Sequence, residues 1–129
     1  MRSECPISCA LDLLGDSWTL VVLRDLVLGN KRAFTNLATG EGIATNILSD
    51  RLNRLEKHGL IERRKDPNDR RRRLIEPTEK AWALVPLLLE LAIYGQDHCG
   101  GQAEESVIEA ARTDRESLIK SIRDGSLPA

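Results

Sequence analysis

Residues 45–59 read TNILSDRLNRLEKHG, and residues 60–76, which follow directly, read LIERRKDPNDRRRRLIE. In the first stretch Leu48, Leu52 and Leu55 recur at i, i+4 and i+7, which puts them on one stripe of a helix. Asn46, Ser49, Asp50, Asn53 and Arg54 fall mostly on other faces, and Gly59 stands where a helix ends on a left-handed residue. The spacing predicts an amphipathic helix over 45–58. In the second stretch, residues 60–65 and 72–76 are candidate strands. Asp66, Pro67, Asn68 and Asp69 between them carry strong turn chemistry. Four consecutive arginines at 70–73 give the predicted hairpin a basic tip and basic flanks.

Upstream, residues 7–28 read as helix with a break near Gly15, the second part capped by Asp16 or Ser17. Trp18, Val21, Val22 and Leu26 are its apolar positions, and Gly29 and Asn30 end it. Residues 33–38 are a short helical candidate anchored by Phe34 and Leu37, followed by a polar, glycine-rich step at 39–42. Trp18 and Phe34 are expected to be core or interface anchors. Downstream, Thr78 is a natural cap for a helix over 79–98. Its expected buried side carries Leu84, Leu87, Leu88 and Leu91, with a kink or broken start at Pro86. Gly100 and Gly101 interrupt the run. A last helix is expected over 103–123, with Val107, Ala111, Leu118 and Ile122 on its stripe, and residues 125–129 should fray.

The 129 residues, 41% hydrophobic and 30% charged, describe an ordinary globular chain with one core. The net charge of -1 conceals a division. Residues 46–73 hold ten Lys or Arg against five Asp or Glu, a local +5, whereas residues 1–45 sum to -1 and residues 74–129 to -5. Taken alone, such a run is a solvated surface balanced by the acidic tail. A polyanion is the other way to offset its self-repulsion. Three cysteines and no secretory leader argue against a disulfide scaffold, and no apolar stretch spans a bilayer, so no membrane partner and a cytoplasmic location are expected. Cys5, Cys9, His98 and Cys99 are donor types that suit zinc, but their spacing is no tight ligand pattern, so neither metal nor cofactor is expected. With two histidines and no phosphate loop, no catalytic constellation assembles.

The order helix, short helix, amphipathic helix, hairpin, helix is that of a winged helix-turn-helix, mainly α with a small β-hairpin. The 45–58 helix would then enter the major groove of double-stranded DNA. Thr45, Asn46, Ser49 and Asn53 offer hydroxyls and amides to base edges, and Arg54 is a further DNA-binding candidate of that helix, expected at a phosphate. Arg51 and Lys57 would meet phosphates. On a strand the four wing arginines alternate in direction, so only some touch DNA; Arg70 and Arg72 are the candidates, and another would pair with an acidic residue at the helix–wing junction. Asp50 accepts from a cytosine amino group, orients an arginine, or lies off the interface. The competing reading is a winged-helix module for protein–protein contact with little DNA affinity.

The chain also resembles the HxlR-type winged-helix regulators of bacteria and, more distantly, the MarR type. The resemblance runs through Cys5-Pro6-Ile7, Leu14-Gly15-Asp16-Ser17-Trp18-Thr19, Leu23-Arg24-Asp25-Leu26, Phe34-Thr35-Asn36-Leu37, Leu48-Ser49-Asp50-Arg51-Leu52 and Glu56-Lys57-His58-Gly59-Leu60-Ile61. It covers about residues 5–95, the expected DNA-binding domain. It implies a homodimeric transcriptional regulator, a repressor by analogy, paired through its first helix and the helices of 79–123. It further implies that Cys5 is a candidate sensor of oxidants or electrophiles, with Arg2 favouring and Glu4 opposing its thiolate. Cys9 reads as a small buried hydrophobe, Cys99 as exposed, and a small-molecule effector is equally open. The chain departs from the pattern at the extra Ala33, in a step from Leu37 to Ile43 that is one residue short, in a MarR-like wing, and in a long 103–123 helix.

Overall fold

In the computed structural model, which describes residues 4–125, the chain forms two compact units that divide after Thr78. The first contains helix α1 (Pro6–Leu14) and helix α2 (Thr19–Leu23), which continues as a π-helical turn over Arg24–Leu28. A single 3-10 turn (Phe34–Asn36), helix α3 (Thr45–Lys57) and an antiparallel hairpin of β1 (Ile61–Asp66) and β2 (Asp69–Pro77) complete it. The second unit holds α4 (Glu79–Trp82), α5 (Val85–His98), α6 (Glu105–Thr113) and α7 (Arg115–Arg123).

The core of the first unit is built from the predicted stripe. Leu48, Leu52 and Leu55 of α3 are buried together with Val22, Leu23, Leu26, Val27, Ile61 and Ile75. Each large side chain contributes about 1.5–3 kcal/mol of apolar transfer. Helix α3 ends in a Schellman motif. Gly59 has φ +79°, its N–H donates to the Glu56 carbonyl, and the Leu60 N–H reaches back to the Leu55 carbonyl. The chain leaves this motif directly into β1, so the helix end sets where the hairpin begins. The hairpin pairs Ile61 with Pro77, Arg63 with Ile75 and Lys65 with Arg73, with an irregularity after Lys65. The Ile75 N–H also donates to the Arg32 carbonyl, tying the 31–33 segment beside β2. The Thr78 hydroxyl, expected as a helix cap, donates instead to the Gly59 carbonyl and secures the end of β2.

Several local expectations are corrected. The 33–38 helix shrinks to one turn: Leu37 closes it in extended conformation and Ala38 takes φ +53°, outside any helix. Phe34 and Trp18 are half-buried, while Ala33 and Thr19 take the buried positions. Residues 79–98 form two helices, with α5 restarting at Val85 and Pro86 inside its first turn, where the missing N–H costs nothing. The restart shifts the phase. Val85, Leu88 and Leu89 are buried, but Leu87 and Leu91, expected inside, are exposed. Residues 103–123 split at Asp114, whose φ of -146° and ψ of 52° are not helical. Ile108 then replaces Val107 on the buried stripe with Ala111, Leu118 and Ile122. Cys9 is half-buried rather than fully buried. Arg2 and residues 126–129 lie outside the described residues.

Candidate nucleic-acid interface

The outer face of α3 follows from helical geometry. With Leu48, Leu52 and Leu55 turned inward, Asn46, Asp50, Asn53 and Lys57 at i, i+4, i+7 and i+11 point away from the core, and all four are exposed. Thr45 is exposed and Ser49 half-buried at one edge of that face. The hydroxyl and amide residues singled out in the sequence therefore share one surface, with Asp50 in its middle.

Arg51 and Arg54 flank this face toward the corner between α1 and α2. Arg51 Nε donates to Asp16 Oδ1 at 3.1 Å, and its Nη1 to Asp50 Oδ2 at 2.6 Å. Arg54 Nη1 lies 3.6 Å from Asp16 Oδ2, and its Nη2 donates to the Asp12 carbonyl near the end of α1. Of the three roles open to Asp50, the structure places it on an arginine. Asp16 also organises the start of α2: Oδ1 accepts the N–H groups of Trp18 and Thr19, and Oδ2 accepts the Thr19 hydroxyl. Burial pushes the Asp16 carboxyl up. The Thr19 hydroxyl, the two N–H groups and Arg51 outweigh it and hold the group well below the usual carboxylate range. The Leu14-Gly15-Asp16-Ser17-Trp18-Thr19 block is thus the device that caps α2 and grips α3 from one side.

The other flank meets the wing. Arg63 on β1 stands opposite Ile75, on the strand face that Ile61 buries, and its Nη2 donates to Asn53 Oδ1 at 2.9 Å. Beyond it an open notch of about 590 Å³ is floored by Ala33, Leu52 and Ile75, and its rim carries Arg63, Arg71, Arg72 and Arg73 together with one carboxylate, Asp69. Arg72 lies 3.9 Å from Asp66 and Arg64 bonds Glu76. Among the described residues, Arg70, Arg71 and Arg73 make no ion pair, although Asp69 lines the same notch. Of the two wing candidates, Arg70 belongs to this set and Arg72 is partnered.

Sequence reasoning passed over two functional supports. One is Arg63, signalled by alternation with the apolar Ile61. The other is Asp25, whose buried carboxylate accepts the Ala38 N–H and faces Arg24 and Lys31, holding the loop before α3 where Ala38 is left-handed. A carboxylate inside the apolar run around Leu23 and Leu26 was its only local signal.

Residues 13–103 match the HxlR-like helix-turn-helix family. The chain belongs to that family. It is 34% identical over 93 residues to the HTH-type transcriptional regulator sll1512 of Synechocystis sp., a match spanning 72% of this chain and 69% of that protein. It is 29% identical over 99 residues to the HTH-type transcriptional regulator YodB of Bacillus subtilis, across 76% of this chain and 88% of YodB. The structure of PA1607, described as a transcription factor, superposes with a TM-score of 0.70 at 29% identity, covering 81% of this chain and 72% of that one. The reduced form of YodB superposes with a TM-score of 0.59. The chain spans about half (52%) of the length of mycobacterial relatives to which it is 37% identical. This HxlR-like chain is therefore a helix-turn-helix transcriptional regulator, a non-enzymatic class. No single helix among its described residues is long and apolar enough to cross a membrane.

Proposed function

We propose that the protein binds double-stranded DNA sequence-specifically as a homodimer and represses transcription. The outer face of α3 reads bases through Asn46, Ser49 and Asn53, with Thr45 and Lys57 at its ends. The observation that carries this reading is the sorting of charge around α3. Arg51, Arg54 and Arg63 are consumed in holding the helix, while Arg70, Arg71 and Arg73 keep their charge on the wing beside it. A surface built only for solvation has no need to divide one basic segment in this way. Two exposed apolar sets support dimerisation: Ile7 and Leu11 on α1, and Leu87, Leu91 and Tyr94 on α5.

The test is binding to fragments from the gene's own neighbourhood across a salt series. Specific binding whose logarithm falls linearly with log salt supports the reading. Absence of binding above background at low salt overturns it and favours a protein-contact module. Sedimentation of Leu91→Glu, expected to weaken the dimer, tests the assembly.

A thiol input is a second reading. Cys5 is exposed at the N-terminal cap of α1, and the backbone N–H groups of Ser8 and then Ile7 pull its thiol below the ordinary value. Mild oxidation should change DNA affinity in the native chain and leave Cys5→Ser unaffected; an unchanged native chain overturns it.

A further inference from the structure

Asn53 carries a primary amide, whose two orientations differ only in which end, carbonyl or amino, faces a given neighbour. Its neighbour here is a guanidinium, which only donates. Arg63 Nη2 donates to Asn53 Oδ1 at 2.9 Å. With the amide turned over, its amino group would face those N–H donors. The Arg63 side chain is 25% exposed, and its Nε is buried with no hydrogen-bond partner, Glu56 Oε1 lying 4.0 Å away as an ion-pair contact only. It rises from the strand face that buries Ile61, directly opposite Ile75, so the core of the wing fixes its stem.

We propose that Arg63 is a positioning residue that makes Asn53 present its amino group to DNA, and so excludes cytosine from the base that Asn53 reaches. This rests on the DNA-binding reading above. In the major groove adenine and guanine offer N7, guanine O6 and thymine O4 as acceptors, whereas cytosine offers only its amino donor. A fixed amide donor is therefore compatible with three bases and repelled by the fourth. An amide free to turn would tolerate all four.

The experiment uses the full chain and a bound genomic fragment in which each position is varied in turn. Asn53→Ala locates the position that Asn53 reads. There the native protein is expected to bind the cytosine variant about tenfold or more weakly than the other three. Arg63→Gln offers an acceptor as well as donors, so the amide can turn. That penalty should shrink to about twofold, with preferences elsewhere in the site retained. Arg63→Lys, which again only donates, should keep the penalty. Asn53→Asp presents an acceptor outward and should reverse the preference toward cytosine. Arg63→Gln added to Asn53→Ala should change nothing further at that position.

A cytosine penalty that survives intact in Arg63→Gln overturns the proposal while leaving specific DNA binding in place. So does equal behaviour of the Gln and Lys variants, or an Asn53 position that never discriminated against cytosine. Failure of the native chain to prefer any fragment overturns the DNA-binding reading and this proposal with it. A purely structural role for Arg63 would instead lower affinity at all positions alike.

Discussion

The two flanks of α3 carry the same residue type and use it in opposite ways. On the corner side, Arg51 and Arg54 meet Asp16 and the Asp12 carbonyl, and both ends of the Asp16–Arg51 pair are about four-fifths buried. On the wing side beyond Arg63, Arg71 and Arg73 stand at an open notch with no carboxylate bound to them among the described residues. The difference lies in the carboxylate supply. Asp16 is pinned by three hydrogen bonds from the start of α2 and cannot turn away. Asp69, beside the wing arginines, accepts the Arg71 backbone N–H instead. An arginine close to a fixed carboxylate becomes structure; one beyond its reach keeps its charge free of any ion pair.

Removing the fixed carboxylate should have the largest effect. Asp16→Ala deletes a side-chain cap, at a cost of about 1 kcal/mol, and removes one of the two carboxylates on Arg51, leaving Asp50, so a total of about 1–2 kcal/mol is expected. Denaturant unfolding measures it. The sign with pH is fixed by the depressed carboxyl. Its folded pKa lies below the ordinary 3.8, so its contribution is complete above that value and fades as pH falls through the folded one. The gap between native and variant should be flat from pH 7 to about 5, begin to narrow below about 4, and close only as pH reaches the much lower folded value. A gap that widens in acid would contradict the assignment.

The wing should show the inverse profile. Arg71→Met with Arg73→Met is expected to leave the unfolding midpoint nearly unchanged, because no described ion pair is lost. It should lower the slope of log affinity against log salt by roughly 1.8, the value for two phosphates. Arg51→Met should do the reverse, lowering the midpoint with little change in slope. If both pairs of changes moved the slope equally, the division between the flanks would fail. Arg70→Met with Arg72→Met discriminates further: Arg72 lies 3.9 Å from Asp66, so that pair should cost less slope than the notch pair.

The sequence exposed local devices and hid those that depend on distant partners. The stripe of α3, its Gly59 terminus and the 66–69 turn are local patterns, and all three stand in the structure. So does the break at Gly15, with Asp16 as its cap. The buried side of α5 was misplaced because Pro86 sits in the first turn of a new helix rather than inside a long one, which resets which residues face inward. The break at Asp114 has neither glycine nor proline to announce it. At the site, the shared face of Asn46, Ser49, Asp50 and Asn53 was legible from helical spacing. That Arg51 is tied to a residue 35 positions earlier, and that Asn53 is held from β1, were not, because no periodicity encodes which partner lies across a fold.

The second unit supplies the control with the smallest expected effect. Arg123 reaches Glu79 through both terminal nitrogens and lies 5.3 Å over the Trp82 ring, a geometry that on paper rivals the Asp16 clamp. Yet Glu79 is 77% exposed and Arg123 48%, so water competes for every bond. Arg123 holds the Glu79 carboxyl below its ordinary value, but among the described residues the carboxylate accepts from no backbone N–H. Glu79→Gln should therefore cost much less than Asp16→Ala, and less still at high salt. The residual cost should vanish as pH falls below the carboxylate range, since the native pair is then protonated as well. Unfolding curves of Glu79→Gln and Asp16→Ala at two salt concentrations make the contrast direct. A Glu79 effect as large and as insensitive to salt as that of Asp16 would show that enclosure by α2 is not what distinguishes the corner, and that bidentate geometry alone accounts for its strength.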